Sequence, residues 1–205
     1  ILSERVNNDA MGIQITASHN PYTDNGLKIF NSDGYKIPIV EENKIQNKID
    51  SIDDVNNEIH FPVIKNQQVI DDYINHLSLY LNKYLVDSKK LNIAIDCANG
   101  ALSKAIKSLK LPLNISLIII NDDPNGKNIN DKCGAVYPEH LSKIIIHNNK
   151  NITSSNNEWI DFGMTFDGDG DRSILISETG RIIDGDEILY ILSNNTSKKI
   201  LVGTS

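Results

Sequence analysis

Apolar side chains change period several times along this chain, and that alternation most limits what it can fold into. Leu91–Asp96, Ile115–Ile120 and Asp161–Phe166 are apolar runs of a strand's length. Between them lie stretches whose apolar residues recur every three to four positions. Strands alternating with helices predict an α/β fold, in which a parallel or mixed sheet is flanked by helices. Upstream, Gly12–Ala17 and Leu27–Phe30 read as two short strands, the second closed by the Asp33-Gly34 turn, and Pro38 opens a helix from Ile39 to Ile49. Residues 51–68 hold no period and read as a linker. From Val69 onward, Ile70, Tyr73, Ile74, Leu77, Leu81 and Leu85 predict a strong helix. Further helices are expected over Ser103–Leu109, Pro138–His147 and Asp184–Leu192, and strands over Ser173–Ser177 and Ile200–Val202. The polar stretch Asn148–Glu158 reads as an exposed insertion.

These elements make two α/β units, residues 1–65 and 69–183, with 184–205 as the start of a third; 205 residues suit one large or two small domains. A net charge of −7 argues against a nucleic-acid partner held through phosphates. No apolar run is long enough for a membrane helix, and no leader is evident, so a cytoplasmic chain without membrane attachment is expected. Two cysteines, Cys97 and Cys133, point to a reducing compartment rather than a disulfide framework. With 26 asparagines, the four Asn-x-Ser/Thr matches are expected by chance, whereas with only three arginines each well-placed one gains weight.

Two segments carry chemistry. Thr16-Ala17-Ser18-His19-Asn20-Pro21 sits at the carboxyl end of an expected strand, where open α/β sheets place their ligands. Ser18 is a candidate nucleophile, His19 a candidate acid or base, and Lys28 on the returning strand could bring an ammonium near them. Taken by itself the segment reads first as an ordinary polar turn. Asp167-Gly168-Asp169-Gly170-Asp171-Arg172 is more specific: three carboxylates at alternate positions can converge on one hard cation. An EF-hand shares that spacing and even finds Glu178 at its twelfth position. Arg172, however, stands where that loop needs glycine, and the flanks are apolar strands. An arginine beside an acidic triad points instead to a ligand that brings its own anion, most simply a phosphate. Asn125–Glu139 reads as a structural loop, Cys133 falls outside any zinc pattern, and Asp184-Gly185-Asp186 reads as a turn and helix cap.

Together the serine loop and the acidic loop closely resemble those of the α-D-phosphohexomutase superfamily. Within it, Asp96-Cys97-Ala98-Asn99-Gly100-Ala101, Asn128-Ile129-Asn130 with Cys133-Gly134, Pro138-Glu139 and Asp184-Gly185-Asp186 are similar to the bacterial phosphoglucosamine mutase pattern. The resemblance implies an enzyme that is phosphorylated on Ser18. It implies Mg²⁺ held by Asp167, Asp169, Asp171 and a Ser18 phosphoryl oxygen, with Arg172 and Lys28 adding positive charge. Lys28 would be the acid–base group, and His19 and Asn20 would shape the loop. The implied partners are a hexosamine phosphate substrate and its bisphosphate intermediate. The resemblance also implies that residues 1–65 are the later part of a first domain, that 69–183 are a second, and that 184–205 begin a third. Most of domain 3, and all of domain 4, would be missing from this sequence, and the chain alone would turn over poorly. A phosphomannomutase or phosphoglucomutase would share both motifs, and a non-catalytic metal- or sugar-phosphate-binding module is the reading from another class.

Overall fold

The computed structural model describes residues 11–52, 67–152 and 158–194. The chain divides into two compact units, one of Ile1–Thr16 with Asn25–His76, the other of Ala17–Asp24 with Leu77–Ser205.

In the first unit, β1 (Gly12–Ile15) pairs antiparallel with β2 (Leu27–Phe30), so that Gly12 faces Phe30 and Ile15 faces Leu27. Helix α1 (Ile39–Asp50) follows Pro38, whose fixed φ and missing N–H suit the position before a helix. Helix α2 (Gln67–Leu85) runs from this unit into the second, where Leu77 onward belongs.

The second unit is built on a five-stranded mixed sheet of order β4-β3-β5-β6-β7. Strand β3 (Leu91–Asp96) lies parallel to both β4 (Ile115–Ile120) and β5 (Phe162–Phe166). Strands β6 (Ser173–Ser177) and β7 (Ile182–Ile183) continue antiparallel. A strand covered on both faces must be apolar nearly throughout, and β3 is buried at every position after Leu91. Ala94 packs on one face with Leu141, Ile145, Ile160 and Ile176. Ile93, Ile95 and Cys97 pack on the other with Leu85, Ile106, Met164 and Phe166. Helix α4 (Glu139–Lys150) thus covers one face, while α3 (Leu102–Lys107) and the end of α2 cover the other. Helix α5 (Gly185–Asn194) closes the described chain.

The α/β architecture expected from the sequence is the one found. Some details differ. Ile70 and Tyr73 are not part of the buried stripe of α2, being 49% and 45% exposed, and a serine takes a stripe position instead. Ser78 is buried because its Oγ accepts the Lys110 N–H at 3.0 Å. Helix α4 runs on to Lys150, into what reads as an insertion. The Asn149 carboxamide donates to the Ile160 and Glu178 carbonyls and accepts the Ile160 N–H, so this end of the helix is bonded to the segment before β5 and to the turn after β6. The linker at 51–68 lies largely, and the Ile200–Val202 strand wholly, outside the described residues. No described helix is long and apolar enough to cross a membrane.

Both cysteines are buried and unbridged. Burial pushes the Cys97 thiol up to about 12, with Asp122 and Asp96 adding to it, and the Cys133 thiol up to about 11, with Asp96 and Asp131 adding. The folded chain therefore keeps thiol protons that the unfolded chain releases above its ordinary value of 9.0. The thiol contribution to stability is constant at lower pH and falls as pH rises through the window from about 9 to about 12. At pH 8, iodoacetamide should modify both thiols at least about a hundredfold more slowly in the folded protein than in urea. Mass spectrometry of the alkylated chain measures this, and equal rates would contradict the burial.

Candidate active site

Strand β3 has β4 on one side and β5 on the other, and the carboxyl ends of the strands at such a switch in connection direction are where open α/β sheets place their ligands. The acidic loop follows β5 directly. Asp167 is 1% exposed, and its turn closes through Gly170 N–H to Asp167 O at 3.0 Å and Asp167 N–H to Arg172 O at 3.3 Å. The carboxylate serves two partners: Oδ1 accepts the Arg172 N–H at 3.1 Å and Oδ2 accepts the Ser18 hydroxyl at 2.8 Å.

Asp167, Asp169 and Asp171 each offer an oxygen within 4.8 Å of the others'. Three hard anionic donors that close repel one another and suit a hard divalent cation such as Mg²⁺. On its donor chemistry the cluster fits the metal expected from the sequence. The Arg172 guanidinium lies beside it, its Nε 3.9 Å from Asp171 Oδ1, with both side chains more than half exposed. At that distance and exposure the pair adds little to stability and leaves the guanidinium accessible to an anion.

Ala17–Asp24 belongs to the same unit as the acidic loop. Its turns close through Asn20 N–H to Ala17 O at 3.1 Å and Asp24 N–H to Pro21 O at 3.0 Å, with Asn20 Nδ2 donating to Asp24 Oδ2 at 2.9 Å. Ser18 stands at φ +53°, a left-handed conformation that costs a non-glycine residue about 1–2 kcal/mol. Ala98, Asn99, Asn121, Asn130 and Lys132, the other described non-glycine residues with positive φ, all lie in loops after β3 and β4. Strain gathered at the carboxyl ends of a sheet is characteristic of a working site.

Close backbone approach makes the arrangement possible. Ala101 N–H donates to Gly168 O at 2.9 Å, and a Cβ on Gly100 would fall 2.3 Å from that oxygen. A Cβ on Gly168 would meet Ser18 O at 2.7 Å and Asn130 Nδ2 at 2.9 Å. Glycine at these positions lets three chain segments converge.

Of the residues singled out in the sequence, Ser18, His19, Asp167, Asp169, Asp171 and Arg172 fall in one unit, and Ser18 bonds Asp167 directly. His19 is exposed. Lys28 is half-buried on β2, opposite Gln14, in the other unit. Two residues stand in the sequence analysis only as parts of the family pattern, with no role assigned to either. Asp96, fully buried, accepts the N–H groups of Ala98 and Gly134 at 2.9 Å each and so shapes the turn after β3. Asn130, in the segment read as a structural loop, donates its carboxamide to the carbonyls of Ser18 and Asn20. Nothing local signals this, since Asn130 and Ser18 lie 112 positions apart.

Comparison with known proteins agrees with this architecture. The chain is 38% identical over 190 residues to the phosphoglucosamine mutase of Fusobacterium nucleatum, a match covering 92% of this chain and 40% of that protein. It spans about two fifths of the length of the curated relatives it matches. Among solved structures, a phosphoglucomutase/phosphomannomutase family protein from Burkholderia thailandensis superposes with a TM-score of 0.63 at 23% identity, over 89% of this chain and 37% of that one. Aspergillus fumigatus N-acetylphosphoglucosamine mutase, in complex with GlcNAc-6P and magnesium, superposes with a TM-score of 0.56 at 20% identity, over 93% of this chain and 48% of that one. Residues 3–56 match the family model of phosphoglucomutase/phosphomannomutase alpha/beta/alpha domain I, and residues 71–180 match that of domain II. Two domain matches in the family's order, over a fold that superposes on its solved members, place the chain in the phosphoglucomutase/phosphomannomutase family.

Proposed function

We propose that this chain carries the phosphoserine and metal loops of a phosphoglucosamine mutase, which interconverts glucosamine 6-phosphate and glucosamine 1-phosphate for cell-wall precursor synthesis. The observation that carries the reading is the 2.8 Å bond from Ser18 Oγ to Asp167 Oδ2, at the edge of a triad suited to a hard cation. The 38% identity to a named phosphoglucosamine mutase favours that sugar phosphate over the mannose and glucose phosphates of other family members.

In this proposal Ser18 works as a phosphoserine. Its phosphorus–Oγ bond breaks as a bond forms to the free hydroxyl of the hexosamine monophosphate, whose proton passes to Lys28 in its neutral form. The electron pair stays on Oγ. The bisphosphate then turns over, Ser18 Oγ bonds its other phosphorus as the bond from that phosphorus to the sugar oxygen breaks, and that oxygen takes the proton back from Lys28, leaving the isomeric monophosphate. Asp167, Asp169 and Asp171 would hold Mg²⁺ with a phosphoryl oxygen, and the bound ion supplies positive charge opposite the transferring group. Arg172 adds charge from the exposed side, while His19 and Asn20 shape the loop. Rigid loops on strand ends suit a reaction in which positioning and charge do most of the work.

Domain assignments belong to the same proposal: residues 1–65 as the later part of the first domain, 69–183 as the second, 184–205 as the start of a third. Ile13, Ile15 and Leu27 are more than half exposed on β1 and β2, an apolar surface that a further layer of the family's first domain would cover. Sugar recognition falls to the part of the relatives' length that this chain does not span.

Phosphopeptide mapping of the protein purified from its own cells tests the reading. One phosphoryl group on Ser18 is expected, and a Ser18 peptide without phosphate would point to a non-catalytic binding module. Comparing glucosamine, mannose and glucose 6-phosphates as substrates of the intact protein tests the sugar. Asp169→Ala should weaken Mg²⁺ binding by at least about tenfold, since loss of even an outer-sphere partner of a ligand costs that much. An unchanged Mg²⁺ titration would overturn the metal assignment.

A further inference from the structure

We infer that Asn130 is a positioning residue for Ser18, holding the serine loop in its reactive conformation whether or not the serine carries phosphate. The inference rests on the phosphoserine reading above.

A carboxamide nitrogen has two hydrogens, and Asn130 Nδ2 places one on Ser18 O at 2.9 Å and one on Asn20 O at 3.1 Å. The reverse orientation would set Oδ1 against two carbonyl oxygens, so the amide can sit only one way. Asn130 is itself anchored: its N–H donates to Ala98 O at 3.0 Å, in the turn that the buried Asp96 carboxylate fixes at the end of β3. An unbroken series of bonds therefore runs from the central strand through Ala98 and Asn130 to the backbone of Ser18. Asn130 adopts φ +58°, a conformation that asparagine tolerates better than most residues.

The second hold on Ser18 behaves differently. The bond to Asp167 uses the hydroxyl hydrogen, which is gone once Oγ is phosphorylated, and two anionic groups then face each other. The Asn130 bonds go to backbone carbonyls, which phosphorylation leaves unchanged. The Asn130 bonds therefore persist through both halves of a phosphoryl exchange, whereas the direct hydroxyl bond to Asp167 exists in only one.

Two variants in the intact protein separate the amide from the backbone. Asn130→Gly keeps the left-handed conformation and removes the amide; Asn130→Asp keeps the shape and removes both donors. Amide hydrogen exchange over residues 17–20 should quicken at least about tenfold in both, with β3 and α4 unchanged. The kcat for Ser18 phosphorylation from glucose 1,6-bisphosphate should fall roughly ten- to a hundredfold, with KM within about twofold, because misplacement costs rate rather than binding. Unchanged exchange overturns the clamp, and faster exchange with unchanged kcat overturns the positioning role. A wild-type protein that takes no phosphate on Ser18 overturns the functional reading and the positioning role with it, while exchange still decides whether the clamp exists.

Discussion

Ser18→Ala should end phosphoenzyme formation, lowering it by at least about a thousandfold, the scale on which removing a nucleophile acts. The replacement takes away the oxygen that would accept the phosphoryl group at this position, the one that bonds Asp167 Oδ2 at 2.8 Å. Its effect on Mg²⁺ binding should be smaller than that of Asp169→Ala, because the three carboxylates that crowd together within 4.8 Å remain. Ser18→Thr is the more discriminating companion. It keeps the hydroxyl, but a β-branched side chain at φ +53° is a steric outlier, so the loop must relax or the rotamer must shift. Phosphopeptide mapping should find threonine phosphorylated far below the wild-type level. Full phosphorylation of Ser18→Thr would mean that the left-handed geometry at this position does not matter.

Gly100→Ala should cost about 1–3 kcal/mol of stability and displace the acidic loop. The new Cβ would lie 2.3 Å from Gly168 O and 2.8 Å from that residue's C and Cα. These are backbone atoms, with no flexible side chain to swing aside. The strain falls on the loop that carries Asp167 and Asp169, and Mg²⁺ affinity should drop by at least about tenfold, as when a ligand's support is lost. Gly185→Ala is the control: a Cβ there meets nothing within 4 Å at the first position of α5, so stability should stay within about 1 kcal/mol of neutral, on the favourable side. Thermal melts and Mg²⁺ titrations on the two variants should therefore diverge. Equal behaviour would mean that the loops after β3 and β5 do not need this approach.

The strands at 91–96, 115–120 and 173–177 are legible in the sequence to the residue, because each is an apolar or alternating run bounded by polar or turn residues. The two-residue β7 is not: Ile182 and Ile183 become a strand only because Leu175 and Ile176 lie alongside. Helix α4 outruns its apolar pattern for a related reason. Its last turn is held by asparagine carboxamides that find partners across the sheet, and such partners leave no periodic trace. Ser78 on α2 shows the converse, a polar residue in a core stripe made acceptable by one distant N–H.

The acidic triad was fully readable from the sequence because it is local. Three aspartates within five positions, spaced by glycines, must share a turn whatever surrounds them, so the closeness of their carboxylates needs no knowledge of the fold. The α/β class was readable for the same reason, since hydrophobic period reports each segment's own geometry. What spacing cannot encode is which loops adjoin. Ser18 and Asp167 lie 149 positions apart and meet at 2.8 Å, and Asn130 reaches Ser18 across 112 positions. The strand order β4-β3-β5 brings the loops that carry Asn130 and Asp167 beside each other, and the direct bonds to those two residues, with glycine at 168 leaving room for the Ser18 carbonyl, hold Ser18 there. The sequence alone thus determined the donor chemistry of the acidic loop, and the tertiary structure alone decided that a left-handed serine, bonded at its carbonyl by an asparagine, meets that loop.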